Sequence, residues 1–264
     1  MITLISCQKD EPSINPEKTS FSNFNTGYHH NRVLDILSQV ENSEKSNPDL
    51  ESYVYNYQAI DGLNSYNLDS NECEEIISSI EYLDTYSLDE NLYTSVINDF
   101  SQNQIISSDL LLQLGKINQT LFKVNLSQVV SNSSGNEVET VRVEMSKITN
   151  DLKMLEQYFH SSHSFQTPEE KTIALQSISV TIYSLDYWNE VLGNSNHLYH
   201  NALLEKMGQN KTTGAFWDAV LLVVGADLTG AVTMVAGGAV EPSTVAVVSG
   251  VCSALALGCV IWCD

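Results

Sequence analysis

Positive charge is scarce in this chain. Its 264 residues hold 12 Lys and Arg against 33 Asp and Glu, a formal charge of −21. No basic residue stands between Lys45 and Lys116, while acids recur from Asp49 to Asp109, and residues 214–263 contain neither Lys nor Arg. Phosphate binding needs a basic footprint, so nucleic acid is excluded as a partner. A polybasic hold on anionic lipid is excluded for the same reason. The acidic surface reads first as a solvated coat that keeps the chain soluble, ahead of a surface for cations or a cationic partner.

The motifs that carry chemistry are missing too. There is no Gly-x-Ser-x-Gly turn and no Gly-rich phosphate loop. Asp69 and Asn71 match the opening of an EF-hand loop, but Glu74 stands where the sixth-position Gly belongs and Ile80 where the twelfth-position Glu belongs. The five cysteines, Cys7, Cys73, Cys252, Cys259 and Cys263, are an odd number with no disulfide-framework spacing and no Cys-x-x-Cys pair. The last three sit at helical offsets that disfavour a disulfide, so they read as buried thiols. Histidines come in pairs: His29-His30, His160 with His163, and His197 with His200. An i, i+3 pair shares a helix face and is a start for a metal site, yet no third ligand follows, so these are expected to be exposed histidines in polar segments. Glu72, Glu74 and Glu75 lie at a helix start, where the macrodipole favours them. No catalytic residue, metal or cofactor is expected, and the chain reads as a non-enzyme.

What is present begins with an address. Leu4-Ile5-Ser6-Cys7 resembles the lipobox of bacterial lipoproteins, in which a small residue precedes the cysteine that receives lipid. Gln8-Lys9-Asp10-Glu11 resembles the Lys-plus-acid export signal of Bacteroidota surface lipoproteins. The resemblance covers about ten residues and implies lipidation at Cys7 and a bacterial cell-envelope location, at the outer membrane or cell surface. Only Met1-Ile2-Thr3 precedes the box, so the basic and apolar regions that a signal peptide needs are expected upstream. Residues 8–27, rich in Ser, Asn and Pro, read as a disordered tether behind the lipid anchor.

Residues 28–211 read as an acidic helical domain. Val33, Leu37 and Val40 share a helical face, and so do Val54, Tyr57 and Ile60, although residues 53–57 alternatively suit a short strand. Ile76, Ile77, Ile80 and Leu83 form a stripe behind a Ser70 or Asn71 cap. Ser87-Leu88-Asp89-Glu90 is a capping box before Leu92, Val96, Ile97 and Phe100, and Ser107 or Ser108 starts a helix burying Leu110, Leu114, Ile117 and Leu121. After a loop at 131–136, Val138, Val141, Met145, Ile148, Leu152, Leu155 and Phe159 keep helical period. Thr167-Pro168-Glu169-Glu170 caps a helix carrying Ile178, Ile182, Leu185 and Trp188 that ends near Gly193. A short helix over 198–207 follows. Each helix has one apolar face to hide, so the predicted fold is all-α, a helical bundle.

Residues 212–264 form the feature that the rest must accommodate: a hydrophobic, small-residue-rich helical hairpin. Glu241-Pro242-Ser243-Thr244 separates two apolar arms of membrane-spanning length. In the second arm Ala246, Gly250, Ala254 and Gly258 recur every four residues, a ridge that lets helix backbones approach closely in a membrane or a tight core. The first arm carries Asp218 and Asp227, which point to opposite sides of a helix about 13 Å apart along it. A central Asp costs roughly 2.5–3.5 kcal/mol on insertion, which offsets the gain from the arm's large apolar residues and leaves that arm dependent on a partner. In layout the hairpin resembles those of pore-forming colicins and the glycine-zipper segments of small bacteriocins.

Two functions follow as expectations. The first is a non-enzymatic envelope lipoprotein whose hairpin inserts in membrane or self-associates in a toxin-like or bacteriocin-like way. The alternative is a soluble surface-lipoprotein interaction module in which the hairpin is the buried core of the bundle. The partners are then the membrane, through lipid at Cys7 and in the first case the hairpin, and an unknown protein.

Overall fold

A computed structural model describes residues 26–41, 70–86, 91–123, 137–197, 199–201, 213–238 and 242–262. These form an all-α bundle: α1 (Thr26–Glu41), α2 (Ser70–Asp84), α3 (Leu92–Gln102), α4 (Ser108–Leu121), α5 (Glu137–Ser161), α6 (Pro168–Gly193), α7 (Thr213–Ala236) and α8 (Pro242–Trp262). No strand occurs among the described residues. The lipobox, the 53–57 segment, the Ser87 capping box, the 131–136 loop and residues 8–25 of the tether lie outside them; the tether's last two residues, Thr26 and Gly27, are instead the buried first residues of α1, held by the bond from the Gly27 backbone N to Ser179 Oγ. Of the helix expected over 198–207, residues 199–201 are described, and they are helical.

Local signals set several helix ends. Ser107 is the N-cap of α4, its Oγ accepting from the backbone N of Leu110 at 3.1 Å. Thr167 does the same for α6 at Glu170, and Pro168 occupies the first helical position. The Glu170 carboxylate reaches back to the backbone N of Gln166 at 2.8 Å, one residue before the cap. Helix α3 opens at Leu92 with Asn91 as its N-cap residue, which makes no side-chain capping bond.

Two helices are enclosed. Helix α7 packs against α8, α6, α3 and α2; helix α6 packs against α5, α7, α1, α4 and α8. Helix α1 bridges α6 and α8 on one side. The apolar faces expected for α3, α4 and α5 point inward, with Phe100, Leu114, Ile117, Met145, Ile148, Leu152 and Phe159 all buried. Helix α6 departs from its expected single stripe. Gln176, Ser177, Ser179, Thr181 and Ser184, which sequence periodicity puts on a polar face, are buried as fully as Ile178 and Ile182. Small hydroxyl side chains fit between close helices, and two of them have acceptors there: Thr181 Oγ1 donates to the Ser177 carbonyl at 2.8 Å, and Ser184 Oγ donates to Asp227 of α7. Ser179 Oγ accepts from the backbone N of Gly27 at 3.3 Å and pins the start of α1 to α6.

The two apolar arms coincide with α7 and α8, which lie against each other inside this bundle. Among the described residues no helix is long and apolar enough to cross a membrane. Glycine sets how closely the arms approach their neighbours. A Cβ on Gly230 of α7 would lie 2.9 Å from the Ser249 Cα of α8, and one on Gly250 of α8 would lie 2.6 Å from Val33 Cγ1 of α1. The first neighbour is backbone and cannot step aside; the second is a β-branched side chain with restricted χ1 freedom. Gly230→Val should therefore cost about 1–3 kcal/mol by overpacking, read as a lower midpoint in urea denaturation, while Gly115→Ala, which meets open space, should leave the midpoint unchanged or raise it slightly.

Candidate functional site

The apolar hairpin holds a polar centre. Asp227, midway along α7, is fully buried. Its Oδ2 accepts a short hydrogen bond from Ser184 Oγ of α6 and lies 3.3 Å from Nε2 of His30 of α1, at ion-pair distance though not aligned as a hydrogen bond. His30 is equally buried. Three helices thus contribute one polar side chain each to a point sealed from solvent.

The surrounding hydrogen bonds constrain the protons. Asn31 Nδ2 donates to the backbone carbonyl of Tyr183 at 3.0 Å, so its Oδ1 is the atom that faces His30 Nδ1, also at 3.0 Å. Nδ1 must therefore carry a hydrogen. The hydrogen bond from Ser184 and the approach of His30 offset part of the cost of burying Asp227. Asp227 Oδ1 has no hydrogen-bond partner among the described residues.

Cys252 of α8 closes the fourth side. Its thiol is buried, and desolvation together with the neighbouring Asp227 pushes its pKa well above the usual thiol range. The cysteine is inert as a nucleophile in this state. Although Ser, His and Asp meet here, Ser184 donates to the carboxylate and not to His30, and no face of the cluster is open to a substrate. Hydroxyl activation needs the nucleophile on the base, so this arrangement serves to hold helices together.

The predicted positions divide as follows. Asp227 is at the centre of the cluster. Asp218 lies in α7, and its side-chain surroundings are outside the described residues. In the α8 ridge, Ala246 is fully buried and Gly250 receives Val33 of α1, with the His30 carbonyl oxygen 3.7 Å from where its Cβ would stand. Ala254 and Gly258 follow in the same helix, their surroundings outside the described residues, and Cys7 lies outside them altogether. The expectation of exposed histidines holds only at His163; His29, His160 and His197 are half-buried, and His30 and His200 are buried. His30 is buried because it precedes Val33, Leu34 and Leu37 by helical steps and so falls on the apolar face of α1, a signal present in the sequence. His200 is buried with its Nδ1 2.9 Å from the Val191 carbonyl. Its partner His197 accepts from the backbone N of Tyr199 at 3.3 Å, and burial lowers its pKa. His160 and His163 bracket the end of α5, so the pair does not share one helix face. Among the described residues no group of three or more His, Cys, Asp or Glu is placed to hold a metal ion.

Removing one member of the buried pair leaves Asp227 with Ser184 alone, or His30 with Asn31 alone, each a buried polar group short of a partner. His30→Ala and Asp227→Ala should each cost about 3–5 kcal/mol in urea unfolding. The double variant should cost clearly less than the two together, because neither side chain is then left buried without the other. A coupling within about 0.5 kcal/mol of zero would show that the two residues act independently.

No protein-family model, no curated protein and no solved structure matches this chain, so the meaning of the site is read from its own residues.

Proposed function

We propose that this chain is a non-enzymatic, lipid-anchored envelope protein whose helical bundle is an interaction module and whose apolar hairpin is the core of that module. The observation that carries the reading is the enclosure of α7: its only charged side chain among the described ones, Asp227, meets partners from α1 and α6. The module keeps the hairpin because the hairpin has its counter-groups there. Transfer of α7 to lipid would strip Asp227 of His30 and Ser184 and add an insertion cost of roughly 2.5–3.5 kcal/mol. The small-residue ridge of α8 supports the same reading. At Gly250 it accommodates α1 of the same chain, so close helix approach is used within the bundle rather than between copies. The lipobox at Cys7 supplies the anchor in this reading, and the acidic surface keeps the tethered module soluble.

Deletion of everything after Lys211 separates this function from membrane insertion. The truncated chain should lose its cooperative thermal transition by circular dichroism, and the full-length, unlipidated Cys7→Ser protein should stay at the bottom of a vesicle flotation gradient between pH 4 and 8. A truncated chain that still melts cooperatively, together with a full-length chain that floats, would sink the proposal and favour the inserting hairpin.

Cys252 gives a second check within the native protein. Its protonated, buried thiol should resist iodoacetamide at pH 8 and become alkylated along the same urea curve that reports global unfolding, with the site located by peptide mass spectrometry. Labelling well below the unfolding midpoint would mean that the hairpin leaves the bundle on its own.

A further inference from the structure

A cleft of about 540 Å³ opens where the C-terminal end of α7 meets α2 and the segment that ends α3. That volume suits a small molecule. Glu74, Glu75 and Tyr82 reach it from one face of α2, Phe100 from α3, and Thr233 and Met234 from the last turn of α7.

Its chemistry has one sign. Glu74 and Glu75 are exposed at the rim. Helix α7 ends on this wall at Ala236, so the negative end of its dipole faces the same space. The Tyr82 ring stacks on Phe100 at 5.8 Å and 15°, and its hydroxyl donates to Asp99 Oδ2 at 2.6 Å. Burial and that hydrogen bond raise the phenol pKa, so Tyr82 stays neutral and donates, which enriches the ring's negative face. Thr233 is 5% exposed, and its Oγ1 has no hydrogen-bond partner among the described residues, unlike Thr229 one turn earlier, which bonds the Gly225 carbonyl. None of the described lining residues is Lys, Arg or His. The reason lies in the sequence: α2 and α3 come from the stretch between Lys45 and Lys116, and α7 from residues 214–263, the two parts of the chain without a basic residue.

We propose that this cleft binds a small primary amine with an apolar body. The ammonium sits between the Glu74 and Glu75 carboxylates and the end of α7, with the Thr233 hydroxyl as a further acceptor. The apolar body lies on Tyr82, Phe100 and Met234. A carboxylate-bearing or phosphate-bearing ligand meets only repulsion here, and a neutral one gains only the apolar floor. The proposal rests on the reading that α7 stays in the bundle, since α7 builds one wall.

The test uses the full-length Cys7→Ser protein with three probes of one shape: phenethylamine, 2-phenylethanol and phenylacetate. Phenethylamine should bind saturably by calorimetry, with amide shifts in nuclear magnetic resonance spectra confined to the cleft residues. It should bind about tenfold more tightly than the alcohol, and phenylacetate should not bind. Glu74→Gln with Glu75→Gln should weaken the amine about fivefold without changing the melting temperature, because both side chains are exposed. Thr233→Val should weaken the amine while leaving the alcohol unchanged. Equal affinity for amine and alcohol, shifts away from the cleft, or unaltered amine binding in the double glutamine variant would overturn the assignment. If the amine fails to bind while Cys252 remains protected from alkylation, the cleft proposal falls and the hairpin-as-core reading stands. If Cys252 is labelled in the native protein, the reading on which both depend has failed.

Discussion

A carboxylate in the middle of an apolar helix must be met wherever that helix is buried, and the packing of this bundle follows from how Asp227 is met. Its partners come from α1 and α6, helices separated from α7 by long stretches of chain. Satisfying one group therefore fixes three helices relative to one another. The apolar surface of α7 and α8 supplies most of the drive to bury the hairpin, because burial gain scales with area, but apolar contact has no direction and tolerates many registers. The His30–Asp227–Ser184 centre has direction. A rotation of α7 about its axis or a slide along α1 would leave a buried carboxylate facing hydrocarbon, at a cost comparable to much of a domain's net stability.

Close approach is the second half of the same constraint. A 3.3 Å separation between side chains on α1 and α7 requires neighbouring helices to sit tightly, and the small residues permit it. Gly250 lets α8 rest on Val33, one turn from His30, and Gly230 lets α7 cross α8 beside Cys252. Ser179 and Ser184 let α6 lie under α1 and α7 without long side chains between them. A ridge of Ala and Gly is compatible with pairing between membrane helices and with a dense soluble core, since both need only backbone proximity. In this bundle the described part of the ridge is filled from within the chain.

Much of the architecture was legible from periodicity. The faces built on Leu110, Leu114 and Ile117 and on Val141, Met145, Ile148 and Leu152 point to the core as their spacing requires, and Ser107 and Thr167 cap helices where their sequence context places them. Helix α6 departs from its periodicity because Ser and Thr weigh as solvent-facing in sequence, whereas inside a helix a hydroxyl can be satisfied by the preceding turn, as Thr181 Oγ1 is by the Ser177 carbonyl. The burial of His30 is hidden for a related reason. A histidine beside a second histidine suggests a metal or an exposed polar patch, while its position a turn ahead of Val33 and Leu34 already put it on the buried face. Knowing that α7 carries a central Asp in a chain poor in Lys and Arg narrows the choice of partner, but which side chain meets it is a tertiary fact. Contacts across so many residues leave no local trace.

Scarcity of basic residues has an effect at the surface opposite to its effect in the core. Inside, the one described buried acid is matched, because an unmatched one would not survive burial. Outside, at the mouth of the cleft, Glu74 and Glu75 face the end of α7 with no protein cation among the described lining residues, and solvent screening makes that arrangement inexpensive in the free protein. Screening weakens as a ligand displaces water from the floor formed by Tyr82 and Phe100, so the attraction for a cation grows as the cation arrives with an apolar body to cover that floor. Charge and apolar area therefore act together at this one place. A bare cation would keep its own hydration and gain little, whereas an amine carrying a ring or chain exchanges water for both the aromatic pair and the carboxylates. That coupling comes from carboxylates and an aromatic floor lining one cleft.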